Sequence, residues 1–550
     1  MDPPFVTFAN KSCEPTSDPC PSGWICVDAE CELADAGVAT DGGVDAGPPD
    51  AGPPDGGHTD GGPRDAGSPD AGSDAGSDAG LPCGCTPGQA LCDANDVTLE
   101  TCVAPPDGGC AFYVPLLDCS DGGLVCSPSA LACRCPANAS SDFYVDPYQG
   151  GDANAGAHAT GLREPPACRL GTLTQALALA GAAAPASVIA ISDPVDGGYP
   201  SRSMATFGDA AEDGGETFPL TLPPLVTLET WEPDASYTFV TEVVAGDPTL
   251  TTCVIESAGS GAAIENVGIQ VQTPNASGIC CSGGSLTLNA GDLYFGAANG
   301  DTSANGIDAD DGCQLNLGAY DSVTGFPGDG VRLGPAAGAA LLTAPLLVQQ
   351  SGLAGVAVLG GSLTDGPQQP GSIASVQNQG DGLTVSGGTV DLSGGLAALT
   401  AYANGDHGIE LTGSSTTVTL SSVDVQGAAV GTAAASLILV AAGTLTINGG
   451  NVIGLSDATP CVQAQGSSVL SITGATVQGG AVGLAFSGQQ ATLTDVMVTG
   501  SSGTGISIAG NGSVSLLGCT LSNNTGSGLV VSPTTPNLIV TLKNNLVQDN

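Results

Sequence analysis

Basic residues are scarce in this chain. Among 550 residues there are eight Lys plus Arg against 55 Asp plus Glu, which gives a formal net charge of −47 at pH 7. Binding to a phosphate backbone depends on Lys and Arg, so this composition excludes nucleic acid as a partner. An anionic membrane surface is excluded for the same reason. The sequence also lacks any run of 18 apolar residues, so we expect no membrane-spanning helix.

Histidine and aromatic residues are scarce as well. The chain has three His, two Trp and 4% aromatic residues. Its 20 Cys include no Cys-x-x-Cys pair, the spacing that many zinc sites use, and we therefore expect no zinc. The low aromatic content weakens the case for a sugar site built on stacked rings.

The cysteines themselves form two dense clusters, which predict small disulfide-rich modules at residues 1–34 and 83–140. Such modules are typical of exported proteins, so we expect an extracellular or cell-surface location. Residues 1–5 show neither the basic nor the apolar region of an export signal, and we expect that signal to lie outside these residues. The cysteines expected to form disulfides are Cys13, Cys20, Cys26, Cys31, Cys83, Cys85, Cys92, Cys102, Cys110, Cys119, Cys126, Cys133, Cys135 and Cys168.

Five further cysteines lead to a different expectation. Cys253, Cys313 and Cys519 are isolated in the downstream sequence, and we expect them to pack as small apolar residues. Cys280 and Cys281 are adjacent, and we do not expect them to bridge each other because a disulfide between neighbours is strained.

A low-complexity segment of Asp-Ala-Gly and Pro-Pro-Asp separates the two modules at residues 35–82. It has too few large apolar residues to form a core, so we predict a disordered linker. The linker is either an extended stalk or a simple tether. The second module, from Cys85 to Cys135, resembles small Cys-rich modules found beside Asp-Ala-Gly linkers in secreted bacterial proteins.

A repeat dominates the sequence after residue 275. A Gly followed by an aliphatic residue recurs at intervals of 22 to 28 residues, apart from one interval of 75 residues, in which Cys461-Val462 stands where a further step is expected. Periods of this length indicate a solenoid whose units bury their apolar faces against one another. The steps begin at Gly278, Gly306, Gly330, Gly355, Gly382, Gly408, Gly483, Gly505 and Gly528.

The repeat predicts strands, because apolar and polar residues alternate after each Gly, as in Leu383-Thr384-Val385. We therefore predict an all-β parallel β-helix of about eleven coils, stacked at about 4.8 Å. One inward column should be buried and collinear: Ile307, Val331, Val356, Leu383, Ile409, Ile506 and Leu529. Residues 540–550 resemble the first part of another coil, so we expect the natural protein to continue.

The N-terminal part of the repeat region carries a family resemblance. A turn at Asp152-x-Asn154-x-Gly156, the phrase Phe218-Pro-Leu-Thr-Leu-Pro223 and a helix predicted at 170–182 occur in order. Thr172 and Gln175 form a capping-box pattern at the start of that helix. The region resembles the start of pectin-lyase-like right-handed parallel β-helix proteins, and in particular the domain of unknown function that opens many bacterial members. The resemblance implies a capped β-helix start at 141–231 and right-handed repeats at 232–550.

Enzymes of that fold cleave polysaccharides, but their motifs are not reproduced here. Pectate-lyase-like members use a basic residue and calcium on acidic side chains, whereas Arg332 is the one Lys or Arg between Arg202 and Lys543. Polygalacturonase-like members use carboxylates and a Gly-His-Gly signature. Here Asp310-Asp311 and His407-Gly408 fall four coils apart, and Asp406 replaces the first Gly.

Alignment of the coils on the Gly step gives one candidate site. It brings together Asp329, Asp381, Asp406, His407 and Glu410, and it predicts that Asp381 and His407 come within hydrogen-bond reach. These side chains could bind a sugar, hold calcium through oxygen ligands, or cleave a neutral glycan with two carboxylates. Alternatively, they are corner residues and solvated strand positions.

Three functions remain open. The first is a non-catalytic exported rod that binds a neutral polysaccharide or a surface protein. The second is a polysaccharide-cleaving lyase or glycoside hydrolase, and the third is a structural spacer. The fold alone does not decide among them.

Overall fold

The computed structural model divides the chain into two compact units, residues 1–79 and 80–550. In the first unit it describes an antiparallel pair of strands, Trp24–Val27 and Glu30–Leu33. In the second unit it describes residues 85–93, 98–106, 111–118, 125–127, 132–134, 142–146, 170–190, 205–208, 215–230, 241–289, 291–296, 303–318, 321–367, 369–395, 398–427, 436–455, 458–533 and 536–550. The predicted linker and the Asp152 turn lie outside the described residues.

The second unit contains a parallel β-helix with three long sheets, in which each coil contributes one strand to each sheet in turn. Sheet I has 13 strands: Leu220–Leu222, Cys253–Ser257, Ser277–Ser282, Ile307–Asp310, Val331–Leu333, Val356–Val358, Leu383–Val385, Ile409–Leu411, Ile438–Val440, Pro460–Gln465, Val482–Ser487, Thr504–Gly510 and Leu529–Pro533. Without the first two, eleven strands follow from Ser277 onward, as the repeat predicted.

The other two sheets are built in the same way. Sheet II has 15 strands: Asp142–Val145, Ala186–Ala190, Val226–Thr230, Ala262–Glu265, Ser285–Asn289, Gln314–Leu317, Ala339–Leu342, Ser362–Asp365, Thr389–Leu392, Thr417–Leu420, Thr444–Ile447, Val469–Thr473, Gln490–Thr494, Ser513–Leu517 and Ile539–Lys543. Sheet III has 14 strands: Ala205–Gly208, Thr241–Ala245, Val267–Val271, Asp292–Phe295, Asp321–Thr324, Pro345–Gln349, Ser372–Val376, Leu399–Tyr402, Val423–Gln426, Gly450–Gly454, Ala475–Gly479, Met497–Thr499, Thr520–Ser522 and Leu546–Gln548.

The predicted inward column of sheet I is confirmed. Its members pair in register from Ile307 to Ile409, and the ladder continues through Ile438, Val462, Leu484 and Ile506 to Leu529. All are buried except Leu529 in the last coil, which is half-buried. This column is part of one continuous apolar core that fills the interior of the β-helix.

In the coils that have it, the recurring glycine in front of this column is needed for close packing. A Cβ on Gly306 or Gly330 would overlap a valine side chain of sheet III and the carbonyl oxygen of the next step glycine. In the 75-residue interval, Leu437 and Cys461 occupy the same position and are buried. The Cys461-Val462 step was therefore predicted correctly, whereas the Leu437-Ile438 step has no glycine to reveal it.

A helix covers the N-terminal end of the core. It spans Leu173–Ala183, and the Thr172 hydroxyl accepts a hydrogen bond from the Gln175 N–H, as the capping pattern predicted. The carboxylate of Glu216 accepts further hydrogen bonds from the N–H groups of Leu173 and Thr174. Leu173 and Leu177 face inward and are fully buried, so the helix closes the core as expected. Among the described residues, no helix is long and apolar enough to cross a membrane.

The second Cys-rich segment contains a three-stranded antiparallel sheet, Ala90–Cys92, Thr98–Val103 and Phe112–Asp118, and a pair, Val125–Ser127 with Ala132–Arg134. Its described disulfides are Cys85–Cys102 and Cys92–Cys126, both drawn from the predicted set. The other predicted cysteines lie outside the described residues or in strands whose side chains are not described. The boundaries of the modules and the linker stay predictions.

The cysteines of the β-helix correct one expectation. Cys253 and Cys313 were expected to be free apolar residues, but they form the disulfides Cys253–Cys280 and Cys281–Cys313. The expectation was wrong because residues far apart in sequence stand side by side on neighbouring coils, with Cα–Cα distances of 5.8 Å in both pairs. Cys280 and Cys281 do not bridge each other, and Cys519 is a free, buried thiol, as predicted.

Candidate functional site

Three of the five candidate residues belong to one corner of the β-helix, immediately before the Gly step of sheet I. We call the position one residue before the Gly step the corner column; it includes these three residues and Asn305 upstream. Asn305 and Asp329 lie on successive coils, as do Asp381 and His407, and the coil of Ala354 lies between the two pairs. The side chain of Asn305 accepts a hydrogen bond from the Asp329 N–H at 2.9 Å. Asp329 accepts from Ala354 N at 3.0 Å, and Asp381 accepts from His407 N at 2.8 Å. These side chains therefore tie each coil to the next, which is the corner role considered from the sequence.

Glu410 lies in a second column, on the outward face of sheet I. Paired strands place Glu256, Cys280, Asp308, Arg332, Ala357, Thr384 and Glu410 in register along this outward column. The two columns run side by side, since members of the outward column follow the corner residues by three positions.

Asp381 and His407 make the contact that their spacing predicted. The His407 Nδ1 lies 2.8 Å from Asp381 Oδ1, and the two side chains are 15% and 13% exposed. The other carboxylate oxygen of Asp381 accepts a hydrogen bond from the Thr384 hydroxyl at 2.7 Å. Because Nδ1 donates its proton to Asp381, Nε2 is the ring nitrogen left for other partners: it donates when the ring is charged and accepts when the ring is neutral.

The surroundings shift the pKa of each partner. Burial disfavours a charged imidazole, but the hydrogen bond and charge of Asp381, aided by Glu410 and Asp406, raise the pKa of His407 above its usual value. Burial also opposes ionisation of Asp381, yet the hydrogen bonds from His407 and Thr384 outweigh it and lower the pKa of that carboxyl. The pair is therefore stable as imidazolium and carboxylate.

Glu410 completes a compact group with this pair. Burial, followed by the charge of Asp381, raises the pKa of Glu410. One ligand atom from each of Asp381, His407 and Glu410 lies within 4.8 Å of the others, which is close enough to hold one cation in place of a proton of the imidazolium. An imidazole and two carboxylates suit a borderline transition metal better than calcium, which prefers oxygen ligands alone. The calcium expectation stays a prediction.

The remaining candidates stand apart from this cluster. Asp406 is exposed and acts on His407 and Glu410 through its charge alone. Asp329 is separated from Asp381 by the coil of Ala354, and burial raises the pKa of its carboxyl. Arg332 forms an ion pair with Asp308 of the preceding coil at 2.7 Å.

A cleft upstream on the same face was missed by the sequence analysis. It has a volume of about 470 Å³ and is lined by Thr and Ser hydroxyls, by Glu256 and Asp308, and by the Cys253–Cys280 disulfide. Its lining includes Thr221, Glu256, Cys280 and Asp308 of the outward column. The signal was absent because the coil that carries Glu256 has Val254 where most steps have Gly.

One comparison, with a protein-family model, bears on the fold. The family model described as "Right handed beta helix region" matches residues 436–550. This match covers 115 of the 550 residues and agrees with the parallel β-helix that the structure shows there. The closer likeness of residues 143–231 to an opening domain of unknown function stays a prediction.

No curated protein matches the sequence significantly. Two solved structures are similar, the A-modules of the mannuronan C-5 epimerases AlgE6 and AlgE4 from Azotobacter vinelandii. The alignment with the AlgE6 module has a TM-score of 0.40 and 13% identity, and it covers 69% of this chain and 94% of that module. The second has a TM-score of 0.37 and 14% identity, with coverage of 68% and 90%. Similarity at this level carries no information about substrate or activity.

Proposed function

We propose that this chain is an extracellular β-helix protein that binds a neutral glycan along the outward face of sheet I. The observation that carries the proposal is the alignment of two polar features on one face. The cleft around Glu256 and the cluster of Asp381, His407 and Glu410 share the same two columns. Glu256 and Glu410 are six strands apart, which corresponds to about 29 Å along the axis and suits an extended oligosaccharide.

The charges of this face favour a neutral ligand. The outward column contains Glu256, Asp308 and Glu410 but one cation, Arg332, which is already paired with Asp308. An anionic polysaccharide would therefore be repelled, whereas the hydroxyls of a neutral sugar can hydrogen-bond to carboxylates and to the Ser and Thr side chains of the cleft.

The disulfides support an extracellular location. Four are described, two in the Cys-rich segment and two in the β-helix. Structural disulfides form and persist in oxidising compartments.

The binding test is a panel of soluble neutral and uronate polysaccharides, with affinity measured by calorimetry. Glu410→Gln combined with Glu256→Gln changes both ends of the face while retaining side-chain hydrogen-bond acceptors. We expect neutral ligands alone to bind and this variant to bind at least about tenfold more weakly, since two hydrogen bonds to charged groups become weaker hydrogen bonds to neutral amides. Ser507→Ala, in the outward column beyond the cluster, is the matched control. Equal affinities for the two variants would contradict the proposal.

A polysaccharide-cleaving enzyme is the second candidate, and the geometry of Glu410 favours it. A carboxyl group of raised pKa can serve as a general acid, and Glu410 lies beside the oriented imidazole of His407. Assays for new reducing ends and for unsaturated products, run on the same panel, decide this point. Turnover that Glu410→Gln abolishes would establish the enzyme, whereas binding without turnover supports the first proposal. Absence of both would leave the structural spacer.

A further inference from the structure

The cluster of Asp381, His407 and Glu410 contains groups that the corner role does not explain. Elsewhere in the corner column, the side chains of Asn305 and Asp329 each accept a hydrogen bond from a backbone N–H of the next coil. Asp381 does the same for the His407 N–H through its Oδ1 atom. This link needs neither the imidazole of His407 nor the carboxylate of Glu410, so their position beside Asp381 requires another explanation.

The imidazole and the Asp381 carboxylate already have nearly the separation of two ligands on one metal ion. His407 Nδ1 lies 2.8 Å from Asp381 Oδ1. Two ligand atoms that are each about 2.1 Å from an ion lie about 3.0 Å apart when the angle between them is a right angle. An ion can therefore replace the shared proton after a movement of roughly a few tenths of an ångström.

Glu410 supplies a third ligand. It lies three residues after His407, on the outward face of the strand Ile409–Leu411, and it is half-buried. One ligand atom from each of the three residues lies within 4.8 Å of the others. Ligand atoms on opposite sides of an ion are about 4.2 Å apart, so a small rotation of the Glu410 side chain completes the set.

A hydrogen bond outside the cluster orients one of these ligands. The Thr384 hydroxyl donates to Asp381 Oδ2 at 2.7 Å, which leaves Oδ1 facing the imidazole. Carboxylates that bind metal ions are typically held by an outer hydrogen bond of this kind. The site is thus partly organised before an ion binds, which lowers the entropy lost on binding.

The charges around the cluster favour a cation from solution. Three carboxylates, those of Asp381, Glu410 and Asp406, act on one imidazole. Residues 333–542 contain no Lys or Arg, so the coils beside the cluster supply no other cationic side chain. The excess of negative charge therefore attracts a divalent ion.

The next coil contains a buried hydroxyl without a partner. Ser436 follows His407 in the corner column, one coil downstream, and it is 2% exposed. Within the part of the chain that the structure describes, its Oγ atom has no hydrogen-bond partner. A water molecule bound to an ion at the cluster is a partner that this hydroxyl could use.

We propose that Asp381, His407 and Glu410 bind one divalent first-row transition metal ion, for which Zn²⁺ is the probe. An imidazole suits Zn²⁺, Ni²⁺ or Cu²⁺, whereas Ca²⁺ and Mg²⁺ prefer oxygen ligands alone. The expectation of no zinc considered paired cysteines, and it does not extend to a site of this kind. Three protein ligands leave at least one position of the ion open to water. Coordination of a sugar hydroxyl at that position rests on the proposed function, whereas binding of the ion does not.

The test titrates Zn²⁺ into the full chain, first freed of metal with a chelator, and measures binding by calorimetry without any glycan. A large excess of Ca²⁺ is present throughout, so that sites made of carboxylates alone are already occupied. We expect the wild-type protein to bind one more Zn²⁺ than His407→Gln or Glu410→Gln. Thr384→Val keeps the shape and removes the outer hydrogen bond, and it should weaken this binding by about 10- to 100-fold.

His158→Gln is the matched control, because it removes an imidazole outside the described residues and should bind Zn²⁺ as the wild type does. Circular dichroism verifies that each variant is folded, and Glu410→Gln carries the test if His407→Gln unfolds. Equal Zn²⁺ binding by the wild type and Glu410→Gln, or loss of wild-type binding in excess Ca²⁺, would overturn the proposal. Zn²⁺ binding without glycan binding would count against the proposed function alone, and glycan binding without Zn²⁺ binding would count against the metal site alone.

Discussion

The upstream and downstream parts of sheet I share one backbone frame but differ on their outward face. Upstream, the outward column contains Glu256, Asp308, Arg332 and Glu410; downstream it continues with Leu439, Gln463, Ala485 and Ser507. The inward column is apolar and buried in both parts. The comparison teaches that the fold depends on the inward residues, whereas any chemistry depends on residues that the fold leaves free to vary.

The cysteines follow the same division. Upstream, Cys253, Cys280, Cys281 and Cys313 form disulfides that join neighbouring coils. Downstream, Cys461 and Cys519 are free and buried. The covalent links therefore lie beside the cleft, where they hold the coils that form its lining.

The largest expected effect tests whether the two parts share one core. Leu383→Ala upstream and Ile506→Ala downstream each remove a fully buried side chain. We expect both to lower the free energy of unfolding by about 2–5 kcal/mol, through lost burial and the cavity that remains. Urea denaturation measures the change. If each variant destabilises only the part of the β-helix that carries the substitution, the two parts unfold independently.

The second largest effect is expected from the disulfides, which lie in the upstream part. Cys253→Ala with Cys280→Ala should lower stability by about 2–4 kcal/mol because the unfolded chain gains freedom.

Without denaturant, a thiol reagent should label neither Cys461 nor Cys519. Burial raises the pKa of the Cys461 thiol to about 11 and also raises that of Cys519, which keeps both protonated and unreactive. Mass mapping of the labelled peptides checks this, and rapid labelling of either thiol in the folded protein would contradict it.

The ion pair of Asp381 and His407 should give the upstream part a pH-dependent contribution to stability. The folded-state pKa of His407 is raised, so its contribution is present below the ordinary value of 6.5 and is lost as the pH rises through the folded value. The pKa of Asp381 is lowered, so its contribution is present above the ordinary value of 3.8 and is lost as the pH falls through the folded value. The pair therefore stabilises the fold most between the two ordinary pKa values, 3.8 and 6.5.

The measurement compares wild type with His407→Gln across the pH range. The difference in free energy of unfolding should be largest near pH 5 and should shrink above the folded-state pKa of His407. Thr504→Ala, at the corresponding corner downstream, should give a difference independent of pH. A constant difference for His407→Gln would show that the imidazole is not charged in this pair.

The sequence predicted the fold well because the inward column repeats through almost every coil. It also predicted the contact between Asp381 and His407, since both residues hold the same corner position one coil apart. It could not predict the cleft, whose coil has Val254 in place of glycine, or the pairing of Cys253 with Cys280. Those features depend on which coils are neighbours and how far each corner protrudes, and neither is encoded in a local pattern.

The smallest expected effect concerns Arg332, the lone cation on the outward column. Its ion pair with Asp308 leaves the two side chains 27% and 23% exposed, so solvent screens much of the attraction. Arg332→Gln should therefore change the free energy of unfolding by less than about 1 kcal/mol, and high salt should remove the change. The same variant should raise the pKa of Asp329 further, because the charge of Arg332 is one of the effects that oppose its rise. Carbon-13 NMR titration of the carboxyl group measures this shift. A loss of several kcal/mol would instead show that Arg332 holds the upstream coils together, which would make it part of the frame that the two parts share.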